Sequence, residues 1–135
     1  MASLPMISGG GAMSETTLWT NSNTSASFGA TDVTLSESIQ NYTYIKINVA
    51  FGNAAAGQLD NTWSNFMPVT DFVKATESGS IGRPCFTVTE VTQANALRRR
   101  NVLYKSDTTV GFAQCYEGST AKNQQLIPLS IVGCK

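Results

Sequence analysis

The clearest pattern in the chain is a strict alternation of apolar and polar positions in "YTYIKINVAF", residues 42–51. Ile45, Ile47, Val49 and Phe51 fall on one side, and Tyr44, Lys46, Asn48 and Ala50 on the other. A period of two with one oily side predicts a half-buried strand of an antiparallel sheet. "CFTVTEVT" from Cys85 alternates in the same way. So does "RRRNVLYKS", where Arg98, Arg100, Val102 and Tyr104 oppose Arg99, Asn101, Leu103 and Lys105. "TTVGFAQCYE" follows it through a turn at Ser106 and Asp107 and pairs back as a hairpin. Thr16 to Trp19 and Val33 to Leu35 are brief β-prone runs. The run from Thr62 to Val73 is apolar at mixed spacing, and Pro68 confines any strand there to an edge or a bend. "LIPLSIVG" supplies a closing strand in which Pro128 signals an edge or a bulge. Helical periodicity is nowhere sustained; Ala54 to Ala56 and "QANAL" offer one short turn each. About eight strands separated by turn signals predict an all-β fold, an antiparallel two-sheet sandwich with a jelly-roll-like plan.

Residues 1–14 fall outside this pattern and read as an N-terminal arm, leaving 15–135 as the sandwich domain. Leu4, Met6 and Ile7 give the arm an apolar end, and Gly9, Gly10 and Gly11 give it a hinge. Two readings stay open: a frayed terminus, or an arm that docks its apolar end on a neighbouring subunit. The start lacks both a basic region and a long apolar core, so a secretory signal is not expected.

Composition sharpens the picture. At 135 residues the chain supports one core. Hydrophobic residues make up 41%, enough to fold, but charged residues only 13%, against about 25% in an ordinary soluble domain. Nine cationic and nine anionic side chains cancel, so no basic excess exists to drive nucleic-acid binding. No apolar run of about 18 residues is present, and membrane insertion is not expected. Solubility normally leans on net charge, so a neutral hydroxyl-rich coat is best explained by burial against neighbours, as in a homo-oligomer inside a larger assembly.

Chemistry is narrowly limited. The chain has no histidine, which closes His-based nucleophilic catalysis and the familiar zinc spacings. Cys85, Cys115 and Cys134 form no CxxC pair; any two of them could bridge, though three reduced cysteines are the default. No phosphate loop, dinucleotide fingerprint or calcium loop occurs, so no cofactor or metal is expected. The acidic residues fall at turns or on solvent sides without a paired constellation, and no catalytic residue and no enzyme are predicted. Arg98, Arg99 and Arg100 are the one charge cluster. Alternation divides them between two faces, and inter-subunit pairing with Glu90, Glu117 or the terminal carboxylate is the favoured role, beside an edge guarded by charge. Trp19 and Trp63 are candidates for stacking on a sugar ring, as in a carbohydrate-binding module, and equally for core packing.

The segment "ETTLWTNSNTSASFGATDVTLS", followed by "IQNYTYIKI", resembles a pattern of small virion proteins of tailed bacteriophages. There a strand opens with a Leu-Trp pair, a Ser/Thr-rich loop ends at Phe, and a second strand precedes a "YIKI" run. The ending "LIPLSIVGCK" is similar to their closing strand. The resemblance implies a β-rich, often trimeric tail-fibre or tail-tip module, located in the virion after assembly in the bacterial cytoplasm, contacting other virion proteins and a host glycan or protein. It brings no catalytic residue. Such modules commonly end a longer fibre, whereas this chain carries its own Gly-rich arm, which keeps capsid decoration open as an alternative.

Overall fold

In the computed structural model, residues 13–53, 58–76, 85–90 and 96–135 are described. The strands are β1 (Glu15–Thr20), β2 (Thr31–Thr34), β3 (Tyr44–Asn53), β4 (Gln58–Pro68), β5 (Cys85–Glu90), β6 (Ala96–Ser106), β7 (Thr109–Glu117), β8 (Thr120–Ala121) and β9 (Ile127–Cys134), with one short helix, α1 (Val69–Phe72). They form two antiparallel sheets. The first has the order β1-β9-β3-β4; the second has the order β2-β7-β6-β5, with β8 beside β7. The all-β sandwich expected from alternation is therefore the fold. Each sheet pairs an early strand with a late one, β1 with β9 and β2 with β7. Hairpins β3–β4 and β6–β7 fill out the sheets.

The core lies between the sheets and is built from the alternating positions. Ile45, Ile47 and Val49 of β3 and Ile131 of β9 face Val102 of β6 and Val110, Phe112 and Cys115 of β7, all buried. Each large apolar side chain taken fully from water contributes about 1.5–3 kcal/mol, so this double row is the main source of stability. Val69 and Phe72 of α1 close one end, and Leu35, Ile39 and Tyr42 seal the crossover between β2 and β3.

Prolines sit where backbone donors are dispensable. Pro68 ends β4, an edge strand. Pro128 lies at a bulge, where Asn48 pairs with Ser130 and Val49 with Pro128, leaving Leu129 over. Ala96 and Leu97 begin a strand rather than closing a helical turn, because β5 pairs with them. The rest of that expected turn, the expected turn at 54–56 and the arm residues Leu4, Met6 and Ile7 lie outside the described residues.

The Ser/Thr-rich segment after Trp19 carries the chain from the first sheet to the second as an ordered crossing. Asn21 donates to the carbonyls of Leu129 through its backbone N–H and of Pro128 through its amide. Asn21 and Asn23 then accept from the backbone two residues on, which curls the loop. Phe28 N–H donates to Asn123 O, and its ring meets Trp19 and Phe112 edge-on or tilted within a three-ring cluster.

The β6–β7 turn is tied to the same crossover. Tyr104 Oη donates to Asp107 Oδ1 at 2.7 Å, and Gln40 Nε2 donates to the same oxygen at 3.3 Å. Donation to a carboxylate, with some desolvation, holds the Tyr104 phenol above its ordinary 10.0. The native state thus keeps that proton longer than the unfolded chain, so the stability this bond adds is complete below pH 10 and is lost as pH rises through the raised value. Tyrosine absorbance titration should show one phenol ionising late, and Tyr104→Phe should remove both that late step and its share of the alkaline loss of stability.

One close approach pins β9. A Cβ at Gly133 would stand 2.6 Å from the Tyr42 ring, well inside contact distance. Tyr42 is buried, so the ring has little room to retreat. Gly133→Ala is expected to lower unfolding free energy by about 1–3 kcal/mol, measured by urea denaturation.

Candidate functional site

The arginine run explains how the two faces of the second sheet differ. In β6, Arg98, Arg100 and Val102 share the inner side, and Arg98 and Arg100 are 1% and 0% exposed. Arg100 donates from Nη1 to Ala113 O at 2.6 Å, from Nε to Leu126 O at 2.8 Å, and from Nη2 to Gln125 O at 3.2 Å. Its guanidinium carbon lies 5.4 Å from the centre of the Phe28 ring. Ala113 belongs to a β7 bulge, where Arg100 pairs with Cys115 and Val102 with Phe112. Burial lowers the Arg100 pKa to about 10, with the neighbouring Cys115 acting the other way. Arg98 Nε donates to Gln125 Oε1 at 2.6 Å, and Arg98 Nη1 lies 3.4 Å from Glu117 Oε1, a carboxylate that Lys122 also approaches at 3.9 Å.

Arg98 and Arg100 are expected at a subunit interface with Glu117 among the partners, whereas both are buried within the chain and Glu117 meets Arg98 there. Arg100 reaches two backbone carbonyls of the connection between β8 and β9, at Gln125 and Leu126, and Arg98 reaches the Gln125 side chain. Leu126 in the turn has φ 51°, the one positive φ at a non-glycine among the described residues. It is also fully buried. The two arginines hold this strained turn in place.

Arg99 points the other way and is exposed. It lines a cleft of about 570 Å³ on the outer side of the second sheet. Leu103, Gly111 and Ala113 lie low in the cleft, with Arg99, Asn101, Lys105, Gln114 and Tyr116 around them and Asp32 of β2 at one end. At Gly111 of β7 the floor is covered by the Lys105 side chain. A Cβ at Gly111 would meet Lys105 Cε at 2.7 Å and Asp32 Oδ1 at 3.0 Å, so the lysine chain lies across the space a side chain would fill. Arg99 and Tyr116 stand directly opposite in the β6–β7 register. Lys105 Nζ is 4.0 Å from Asp32 Oδ1, a long and exposed pair. Among the described residues no hydrogen bond or ion pair engages the Arg99 guanidinium, and no group of His, Cys, Asp and Glu is placed to hold a metal ion.

The outer side of the first sheet is different. Ser64 Oγ donates to Asn48 Oδ1 at 2.5 Å, and Asn48 Nδ2 donates to Ser130 Oγ at 2.8 Å, a hydroxyl–amide row across β4, β3 and β9. Beside it Tyr44 and Phe66 stack with ring centres 5.0 Å apart, and Phe66 is 46% exposed. Lys46 bridges to Glu15 at 2.9 Å.

Of the two tryptophans, Trp19 is half-buried and packed on Phe28 and Phe112, so its ring serves the core. Trp63 pairs with Val49 in β4, and its side chain lies outside the described part, as do the side chains of Cys85 and Glu90. Cys115 and Cys134 are both buried. Burial and the nearby Glu15 raise the Cys134 thiol, partly offset by Lys46. Sequence reasoning found Arg99 but not its cleft companions; the available signal was the glycine at 111, since glycine inside a strand often marks close approach. No protein-family model matches the chain, and no curated protein shows significant similarity to it.

Removing the Arg100 guanidinium strands three carbonyls. Arg100→Ala is expected to cost about 3–5 kcal/mol, and Arg100→Lys to recover little of it, because an ammonium cannot span the same three acceptors. Arg99→Ala, on the outer side, should stay within about 0.5 kcal/mol of the parent. Denaturation of the three variants side by side checks the division of the run.

Proposed function

We propose that this chain is a non-enzymatic structural module of a tailed-bacteriophage particle, a tail-fibre or tail-tip component that joins copies of itself and other virion proteins and serves host attachment. The observation that carries this reading is the outer side of the first sheet. A hydroxyl–amide row and an exposed Tyr44–Phe66 stack adjoin β4, an eleven-residue edge strand. Asp60 is the one charged residue in that strand. Free monomers guard long edges with lysine, bulges or short strands. β4 has one bulge near its start, where Phe51 pairs with Asn61 and Gly52 with Leu59, and then runs in regular register from Asn61 to Pro68. An edge with so little charge, in a chain with 13% charged residues, suits continuation of the sheet into a neighbour. The particle context rests on the resemblance of the segment from Glu15 to Ser36 and of the closing strand to small virion proteins. Capsid decoration draws support from the same surface and differs only in location.

Light scattering over a concentration series should show an oligomer, and Phe66→Glu should shift it toward monomer without unfolding the domain. Tagged copies should appear in purified particles, with immunogold labelling at the tail, and deletion of residues 1–14 should abolish incorporation while leaving the sandwich folded. Label confined to the head would favour decoration. A chain that stays monomeric at high concentration and is missing from particles would refute both placements.

A further inference from the structure

We propose that the cleft on the outer side of the second sheet binds an acidic sugar, with Arg99 receiving the carboxylate. This deepens the attachment reading, on which it rests for the biological source of the ligand. The volume, about 570 Å³, lies in the range of small-molecule sites, roughly 300–1,000 Å³. Its charge is specific. Two cations, Arg99 and Lys105, stand against one carboxylate, Asp32, which leaves one net positive charge in a chain that is neutral as a whole. The Lys105–Asp32 pair, at 4.0 Å and exposed on both sides, contributes little by itself and opens readily. Arg99 presents a planar fork suited to two parallel hydrogen bonds to a carboxylate.

The remaining lining fits the rest of such a ligand. Tyr116, paired across from Arg99, offers a ring face and a hydroxyl to a pyranose. Asn101 and Gln114 supply amides for sugar hydroxyls; Gln114 accepts from Asn123 Nδ2, which fixes its oxygen and leaves its NH₂ to donate. Leu103 and the Lys105 methylenes that lie over Gly111 give the ring an apolar floor. A nucleic acid would need a broader basic surface. A divalent cation would need more oxygen donors than the single carboxylate provides. A purely apolar compound would leave the polar rim unpaired.

The test is titration of the full-length protein, followed by amide NMR, with D-glucuronate, D-galacturonate and N-acetylneuraminate, each beside its methyl ester. At least one acid should move the amides of Arg99, Leu103, Gly111 and Tyr116. Its ester should bind about tenfold or more weakly, the factor expected when about 1.4 kcal/mol of charge-assisted bonding is lost. Arg99→Gln should weaken the acid about tenfold and leave the ester unchanged, and added salt should weaken the acid selectively. Lys105→Gln, a second exposed substitution, should give a smaller loss in the same direction. Failure of all three acids to move these amides, equal binding of acid and ester, or an unchanged affinity in Arg99→Gln overturns the proposal. An oligomeric, particle-borne protein that ignores all three acids sinks this inference alone, and a monomer missing from particles that still binds them sinks the attachment reading alone.

Discussion

A buried guanidinium is the constraint on which the rest of the sandwich turns. Taking an arginine out of water costs several kcal/mol unless its donors are met, and Arg100 meets that cost with three carbonyls and the face of Phe28. Two of those carbonyls belong to Gln125 and Leu126, the last residues before β9. β9 lies between β1 and β3, so the point where it leaves the turn sets the register of the first sheet on both sides. The third carbonyl, Ala113 O, belongs to the β7 bulge, so the same side chain also fixes the second sheet where its ladder is interrupted. Asn123 strengthens this junction by accepting from Cys115 N–H and donating to Gln114.

The two outer surfaces follow from that choice. With Arg98, Arg100 and Val102 turned inward, the pleat turns Arg99, Asn101, Leu103 and Lys105 outward. A one-residue slip of β6 would exchange the sets, placing Val102 in water and Lys105 in the core. The cleft is thus the obverse of the clamp. The bulge contributes too, because the extra residue on β7 brings both Ala113 and Gln114 to the cleft lining. The outer side of the first sheet carries a smaller hollow, about 330 Å³, along its row of hydroxyls and amides, beside two stacked rings.

The fold was largely legible because one-sided burial writes a period of two into the chain. β3 shows this best: Ile45, Ile47 and Val49 are buried as the alternation requires, and only at its end does the pattern lapse, where Ala50 is buried and Phe51 partly exposed. Pro68 and Pro128 were read as edge or bulge signals, and one lies at each. What failed had non-local causes. Arginine is ordinarily outside, so alternation assigned Arg98 and Arg100 to a common side without revealing that the side was the interior. Only the turn at Gln125 and Leu126, distant in sequence, supplies the acceptors that make burial tolerable. The cleft was invisible for a similar reason, since it needs the register of two strands, the bulge and the position of β2 together. "QANAL" reads as helical from its residues, and pairing with β5 overrides that local preference at Ala96 and Leu97.

The protonation behaviour of the clamp suits a structural part. Even with its pKa lowered to about 10 by burial, Arg100 remains charged throughout the neutral and acidic range. The sign of its linkage is opposite to that of Tyr104: for Arg100 the unfolded chain holds the proton more tightly, so proton loss above pH 10 relieves a cost instead of removing a support. Below that point neither group changes its proton occupancy, and their contributions to stability are flat in pH. With no histidine in the chain, the usual switch near neutral pH is missing as well. The clamp therefore keeps its charge, and with it the bonds to Gln125 and Leu126 from which β9 departs, through the neutral and acidic range.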